Sequence, residues 1–468
     1  MSLTELSLAA GVEGVAAGSF TARELTEAHL ARIEAVDPKL NAFIHLEAEI
    51  ALDEADAVDQ ARASGKALGP LAGAPLAHKD MYYRAGVLST CGSKIRRTFR
   101  PETTSTALAR LSAAGAVYLG GLNMAEFAFG PTGHNEHFGP CRNPWDPSRI
   151  TGGSSSGSGS AVGARMAAGA LGSDTGGSIR LPAGFCGLVG LKPTQTRVSR
   201  FGVMGLSFSL DTVGPLTRTV LDNALMFGAI AGPDPLDPTT SMAPVDDYVD
   251  AARTPNAKLR IGVARGYFEK GADPEALDAR DQALQALTAA GATIVEVDVG
   301  DMADVNALSA VVMGPEAATL HAGWMRTRRD DYGAQMRARA EPGFLYSGVD
   351  YLSALQLRPK LTAEFTSRVF ADCDVLLAPT FNVMTPTIED TDVGDNQGFE
   401  AVIGRLSKCT RPFNYLTLPG LALPTPEHVA GMPGSIQLLG RPFDEATLYR
   451  VAAAYEAETA FSDRSPDL

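Results

Sequence analysis

Two stretches rich in serine and glycine, together with one lysine, hold the residue types best suited to chemistry in this sequence. Residues 151–160 read TGGSSSGSGS, and residues 172–180 read GSDTGGSIR. A serine hydroxyl is a weak nucleophile until a neighbouring base takes its proton. Lys79 ends the short run Leu76–His78, and a lysine can act as that base when burial or a nearby positive charge keeps it neutral. The pattern indicates acyl transfer at a serine.

The first of these stretches has three interpretations. A flexible linker is disfavoured because a small-residue helix is predicted directly after it, at residues 161–171. A phosphate-binding loop would need a lysine after its glycines, and none follows. A G-x-S-x-G nucleophile elbow around Ser155 matches, with His321 and His428 available downstream, but no HGGG-type oxyanion motif precedes it. The choice therefore depends on the second stretch.

Residues 174–178 are suited to binding a negatively charged oxygen. Their side chains, Asp-Thr-Gly-Gly-Ser, are small, so several backbone N–H groups can turn toward one point beside a serine. Donors arranged in this way stabilise the oxyanion formed when a nucleophile adds to a carbonyl, and losing one costs about 3–4 kcal/mol in other hydrolases. The segment predicts an oxyanion hole.

Taken together, these motifs resemble the amidase signature family. The resemblance rests on GGSS at 152–155, DTGGSIR at 174–180, LKPT at 191–194 and the 24-residue spacing from Ser154 to Ser178. It covers about residues 20–460, because further matching stretches lie at 71–80 (LAGAPLAHKD), 121–130 (GLNMAEFAFG), 209–219 (SLDTVGPLTRT) and 431–445 (GMPGSIQLLGRPFDE).

The resemblance implies roles for three residues in particular. Ser178 would be the nucleophile and Lys79 the general base. Ser154, held after a cis peptide bond, would carry protons between them.

The resemblance also implies supporting and binding residues around this triad. The oxyanion hole would consist of the backbone N–H groups of Thr175, Gly176, Gly177 and Ser178. The residues expected to support the loop are Ser155, Asp174 and Arg180, with a surface salt bridge as the alternative for Arg180. Phe129 and Gly130 are expected to touch substrate, with core packing as the alternative for Phe129. Substrate selection is expected in variable loops, at residues 81–100, 124–140, 310–360 and 380–412.

The activity implied is that of a serine amidohydrolase that cleaves linear amide, anilide or carbamate (urethane) bonds through an acyl-enzyme on Ser178. The family includes aryl-amide, peptide-amide, carbamate and biuret-type hydrolases. The alternative is the A subunit of glutamyl-tRNA amidotransferase, which uses the same triad inside a complex to release ammonia from glutamine. Residues 82–84 look unlike the usual sequence of that protein and favour the hydrolase. A non-catalytic scaffold is disfavoured because all three triad positions are filled.

Composition limits the partners and the compartment. The formal charge of −14 disfavours a nucleic-acid partner. Five cysteines without a CxxC pair indicate free thiols in a reducing cytoplasm. The N-terminus does not read as a signal peptide, and no run of 18 apolar residues indicates a membrane span. His134 and His137 lack a third metal ligand nearby. We expect a cytoplasmic monomer or homodimer that acts on a small-molecule amide or carbamate without metal or cofactor.

Helix and strand patterns alternate along the chain. Residues 1–65 read as a helical segment packed on the core, with a capping-box spacing from Thr21 to Glu24. Further elements are predicted as a helix at 48–63, helix–glycine–strand units at 107–119 and 283–295, strands at 259–264 and 374–378, and a helix at 445–459. This alternation predicts an α/β fold, and the resemblance implies a mixed sheet sandwiched between helices. Residues 66–460 are expected to form one catalytic domain with its core motif at 69–220, followed by a tail at 461–468.

Overall fold

The computed structural model describes residues 2–393 and 399–468. The strands are β1 (Phe43–Leu46), β2 (Pro75–Lys79), β3 (Val117–Leu122), β4 (Gly169–Asp174), β5 (Val189–Lys192), β6 (Thr212–Thr217), β7 (Arg260–Val263), β8 (Thr293–Glu296), β9 (Val375–Pro379), β10 (Gly420–Val429) and β11 (Met432–Leu439). The helices are α1 (Leu8–Ala17), α2 (Ala22–Leu40), α3 (Ala48–Ala63), α4 (Thr106–Ala113), α5 (Ser156–Gly163), α6 (Arg180–Phe185), α7 (Val220–Ile230), α8 (Tyr248–Arg253), α9 (Pro274–Ala289), α10 (Met302–Thr327), α11 (Ala334–Ala340), α12 (Gly348–Asp372), α13 (Phe399–Ser407), α14 (Arg411–Tyr415) and α15 (Glu445–Thr459).

All eleven strands of the described residues belong to one sheet. Their order is β1-β3-β2-β4-β6-β5-β10-β11-β9-β7-β8. The pairs β2–β3, β2–β4, β7–β8 and β7–β9 are parallel, and the other neighbours are antiparallel. The predicted α/β class with a mixed sheet is confirmed.

Helices cover both faces of this sheet. In β3, Tyr118 belongs to an apolar cluster that includes side chains of α4, α7 and α15. Its neighbours Val117 and Leu119 belong to a second cluster with side chains of α2, α3 and α5. Successive residues of a strand point to opposite faces, so a strand buried on both sides has no polar alternation. This explains why apolar and small residues predominate in β2 to β6. None of the helices in the described part of the chain combines the length and apolar character needed to cross a bilayer.

The N-terminal segment is only partly as predicted. Thr21 and Glu24 form the expected capping box, and α3 has the predicted bounds. Residues 43–46, however, form β1, an edge strand paired antiparallel with β3. Four residues between two helices are too few for a reliable strand pattern. The segment is thus part of the sheet as well as packed against it.

The helix predicted at 161–171 is wrong beyond Gly163. Arg165 adopts a left-handed φ of 60°, and residues 169–174 form β4. Alanine favours helices, but this segment lies between β2 and β6 in the buried centre of the sheet. A Cβ on Gly169 would lie 2.5 Å from Met226 Sδ. Tertiary packing therefore selects a strand of small residues here.

Candidate active site

Lys79 is the last residue of β2 and is fully buried. Its Nζ donates hydrogen bonds to Ser154 Oγ at 2.7 Å and to Ser173 Oγ at 2.9 Å. Burial lowers the pKa of Lys79 to about 7, although the charges of Asp211 and Asp174 oppose this. A substantial fraction of such a lysine is neutral near pH 7 and able to accept a proton.

Ser154 immediately precedes the turn into α5. The Gly153–Ser154 peptide bond is cis, as the family resemblance implies. A Cβ on Gly153 would lie 2.5 Å from Gly130 O, so this close backbone approach requires glycine. Ser154 is fully buried, and its backbone O accepts a hydrogen bond from Ala125 N at 3.2 Å.

Asp174 organises the loop that follows β4. Its carboxylate accepts hydrogen bonds from Gly177 N at 2.7 Å, Ile179 N at 3.2 Å and Arg180 Nε at 3.0 Å. Burial alone would raise the pKa of Asp174, but the Arg180 charge and hydrogen bonds hold it well below its usual range. Both side chains are fully buried, so the alternative of a surface salt bridge for Arg180 is wrong.

The side-chain amides of Asn414 and Gln437 hold the Asp174–Arg180 pair in place. Asn414 Nδ2 donates to Asp174 Oδ1 at 2.7 Å, and Arg180 Nη2 donates to Asn414 Oδ1 at 2.6 Å. Arg180 Nη1 donates to Gln437 Oε1 at 2.8 Å. These bonds tie α14 and β11 to the loop, and neither Asn414 nor Gln437 belonged to the predicted site.

A cavity lies over Ser178. It is lined by Ala128, Phe129, Gly130, Pro131, Thr175, Gly176, Ser178, Leu181, Leu206, Met313, Arg339, Ser407 and Arg411. The structure thus brings the predicted residues Phe129 and Gly130 to the same cavity as Ser178. Among the described residues, Ser178 Oγ has no hydrogen bond, so the link from Ser154 to Ser178 is not formed in this structure.

The oxyanion segment differs from expectation at one position. The N–H of Gly177 is held by Asp174, as given above, whereas Thr175, Gly176 and Ser178 line the cavity. The candidate oxyanion donors are therefore these three N–H groups. Thr175 Oγ1 also donates to Asp211 Oδ1 at 2.5 Å, which anchors the start of the segment.

Ser155 is linked to Lys79 through Ser173. It is fully buried, and its Oγ accepts a hydrogen bond from Ser173 N at 3.2 Å. Ser173 Oγ in turn accepts from Lys79. Because Ser155 does not line the cavity, the lipase-type elbow with Ser155 as nucleophile is disfavoured.

His134 and His137 form hydrogen-bond contacts within the protein, and the cysteines are buried. His134 Nε2 lies 3.0 Å from Thr391 Oγ1, and His137 Nε2 lies 3.0 Å from Glu126 Oε1. The described residues contain no group of three or more side chains that could hold a metal ion. All five cysteines are buried free thiols, as expected.

Several lining residues were not singled out from the sequence, and four of them come from the second half of the chain: Met313, Arg339, Ser407 and Arg411. They lie within the ranges 310–360 and 380–412 that were expected to select substrate. Those ranges were expected to be loops, but α10 to α14 occupy much of them. Each residue comes from a different helix, so no local motif marks them.

Comparisons with known proteins show the family of this chain. The amidase family model matches residues 24–449. The chain belongs to the amidase family and is an enzyme that hydrolyses carbon–nitrogen bonds.

Its relatives include amidotransferase subunits and amidases. The A subunit of glutamyl-tRNA(Gln) amidotransferase from Moorella thermoacetica is 41% identical over 96% of this chain and 95% of its own length. A solved chain from a vestigial protein complex linked to the evolutionary origins of an s-triazine catabolic enzyme is 38% identical, with a TM-score of 0.90 and coverage of 97% and 98%. The peptide amidase of Stenotrophomonas maltophilia is 30% identical, with a TM-score of 0.83 and coverage of 97% of each chain.

Proposed function

We propose that this chain cleaves a linear amide through an acyl-enzyme on Ser178, with Lys79 and Ser154 as its proton relay. The observation that carries the proposal is the 2.7 Å hydrogen bond from the buried Lys79 Nζ to Ser154 Oγ, beside a cavity lined by Ser178. A neutral lysine in this position can act as a base for a serine.

The proton path follows from these positions. Ser178 Oγ attacks the carbonyl carbon, and its proton passes to Ser154 as the Ser154 proton passes to Lys79. Ser154 then protonates the leaving nitrogen while Lys79 returns a proton to it. Water hydrolyses the acyl-enzyme by the reverse relay, which leaves the free acid and regenerates Ser178. The N–H groups of Thr175, Gly176 and Ser178 would stabilise the oxyanion in both steps.

Two candidate substrates are compatible with this chemistry. The first is a linear amide, anilide or carbamate hydrolysed by the chain alone, and the similarity to a peptide amidase supports it. The second is glutamine, whose ammonia would be released by the chain as the A subunit of glutamyl-tRNA amidotransferase. The 41% identity over nearly the whole length of such a protein favours the second.

The acyl-enzyme is tested by replacing the nucleophile. We expect Ser178→Ala to lower turnover by at least about a thousandfold with an unchanged thermal unfolding midpoint. Ser64→Ala, at the exposed end of α3, is the matched serine control. Normal hydrolysis by Ser178→Ala would refute the mechanism.

The substrate is tested with a panel of a para-nitroanilide, a simple amide, a carbamate and glutamine. Turnover of the first three by the isolated chain supports a stand-alone hydrolase. Glutamine turnover that appears only when B and C subunits co-purify with the chain supports a role within the amidotransferase complex.

A further inference from the structure

Asp211 immediately precedes β6 and is buried beside the oxyanion segment. In the antiparallel pairing of β4 with β6, Asp174 lies opposite Thr212. One step further along this pair Thr175 and Asp211 meet, and Thr175 Oγ1 donates to Asp211 Oδ1 at 2.5 Å. Because Thr175 lines the cavity over Ser178, this bond fixes one wall of the reaction centre.

The other carboxylate oxygen of Asp211 holds a second wall of the same cavity. Asp211 Oδ2 accepts hydrogen bonds from Leu206 N at 2.8 Å and from Ser207 N at 3.0 Å. Leu206 lines the cavity, and Ser207 Oγ donates to Glu316 in α10. One carboxylate thus joins the segment after β4 to the loop before β6, where both reach the reaction centre.

Asp211 also places a negative charge near Lys79. Lys79 Nζ donates to Ser173 Oγ, and Ser173 and Asp211 line a second cavity together. Burial lowers the pKa of Lys79, and the charge of Asp211 is the largest of the charges that oppose this. Burial raises the pKa of Asp211 itself, but the hydrogen bonds that its carboxylate accepts favour its charged form.

The other ionisable groups around Lys79 are either paired or neutral. The carboxylate of Asp174 forms its buried ion pair with Arg180. Burial raises the pKa of the Cys91 thiol to about 12, so this group is uncharged near pH 7. Burial also raises the pKa of the Tyr82 phenol well above its usual value. The charge of Asp211 therefore differs from these groups in its effect on Lys79.

Arg200 is the cation that faces Asp211 from the loop before β6. It lines the second cavity and favours the charged form of Asp211. Its own ion pair is with Asp237, whose Oδ2 lies 3.9 Å from Arg200 Nε. The Asp211 carboxylate is thus held mainly by neutral hydrogen-bond donors, which leave its charge free to act on Lys79.

Resting on the acyl-enzyme function proposed above, we infer that Asp211 is a positioning residue shared by the oxyanion segment and the general base. It holds Thr175 and Leu206 at the cavity, and its negative charge favours the protonated form of Lys79. A base is most effective when its pKa lies near the working pH, and Asp211 keeps Lys79 from becoming too weak a base. Asp211 acts through these neighbours and not on the reacting atoms.

Removal of the charge tests the link to Lys79. Lysines labelled with 13C at Cε report the protonation of each amine by NMR, and the Lys79→Met variant assigns the Lys79 signal. The Ser178→Ala chain serves as the background, so the titration needs no turnover. We expect Asp211→Asn to lower the titration midpoint of Lys79 by about 0.5 to 1 pH unit, because a nearby opposite charge is lost. In the active chain the acidic limb of kcat/KM should move to lower pH by the same amount.

Asp237→Asn is the matched control. Asp237 lines the same second cavity as Asp211, and each of the two residues is 8% exposed. Its carboxylate accepts hydrogen bonds from Arg200 N and Thr239 N and not from the walls of the reaction centre. This variant should leave the midpoint of Lys79 unchanged. An unchanged midpoint in Asp211→Asn, or an equal fall in both variants, would overturn the inference.

Thr175→Val tests the positioning role separately from the charge. Valine has nearly the shape of threonine but cannot donate to Asp211, whose charge remains. We expect kcat to fall about 10- to 100-fold with little change in KM, because the oxyanion segment loses its anchor, while the midpoint of Lys79 stays at the wild-type pH. An unchanged kcat would overturn the inference, even if Asp211→Asn fails to fold.

The titration also separates this inference from the catalytic proposal. Turnover that survives Ser178→Ala would refute the acyl-enzyme on Ser178 and leave the titration of Lys79 valid. A Lys79 midpoint that Asp211→Asn does not move would refute the role of Asp211, even if Ser178→Ala is inactive.

Discussion

At the scale of single residues, the protonation of Lys79 determines the pH range of activity. Burial lowers its pKa to about 7, so Lys79 is protonated below that pH and neutral above it. We expect kcat/KM on a neutral amide to rise about tenfold per pH unit below pH 7 and to level off above it, because only neutral Lys79 accepts a proton. A pH–rate profile measures this.

Lys192 provides the control for that profile. It is also fully buried, and burial lowers its pKa to about 7, but its Nζ donates to Pro193 O rather than to a serine. Lys192→Met should therefore keep the acidic limb at the same pH. Loss of the limb in this variant would assign the titration to Lys192 and not to Lys79.

The sequence predicted the triad residues near Lys79 better than it predicted the residues that line the cavity over Ser178. Ser154 and Ser178 belong to dense local motifs with fixed spacing, so their positions could be read directly. Arg339 and Arg411 belong to separate helices and to no local sequence motif. Only the tertiary structure brings them to one cavity. Gly177 was expected to donate to the oxyanion, but its N–H binds the nearby carboxylate of Asp174.

At the scale of elements, the loop between β4 and α6 depends on the buried Asp174–Arg180 pair. Arg180→Met would leave the Asp174 carboxylate buried without its counter-charge, so we expect it to cost about 3–5 kcal/mol of unfolding free energy. The double variant Asp174→Asn, Arg180→Met removes both charges and should recover part of this loss. Urea unfolding of the wild type and the variants measures both effects.

The activity of the double variant tests whether the Asp174–Arg180 pair orients the catalytic loop in addition to stabilising the fold. The double variant should remain nearly inactive, because Gly177 N and Asn414 would lose the carboxylate that orients the segment. A double variant less stable than Arg180→Met alone would contradict the electrostatic explanation.

Element prediction succeeded where the sequence carried local boundaries. The helices at 48–63 and 445–459 have the predicted bounds, and Gly65, with a left-handed φ of 71°, follows the first of them. It failed for β1 and β4, whose conformations depend on pairing with distant strands. The buried β4 also contains glycine and alanine where a strand pattern would need β-branched residues.

At the scale of the whole molecule, the chain termini take part in the core. Asp222 in α7 accepts hydrogen bonds from Leu8 N at 3.1 Å and Ala9 N at 2.9 Å, which fixes α1. At the other end, Phe461 lies in a short 3-10 helix and is only 3% exposed. Residues 461–468, which were expected to form a tail, therefore begin as packed structure.

Removal of residues 1–65 tests whether the N-terminal segment is an appendage. Without it, β3 would lose its partner β1 and expose an unpaired edge, which promotes aggregation. The apolar cluster that packs α2 against the sheet would also be opened. We expect the truncated chain to be insoluble, whereas removal of residues 1–6 should leave a soluble protein with one cooperative unfolding transition. A soluble 66–468 chain with the wild-type transition and activity would contradict this, because β1 would then contribute nothing to the sheet that positions Lys79.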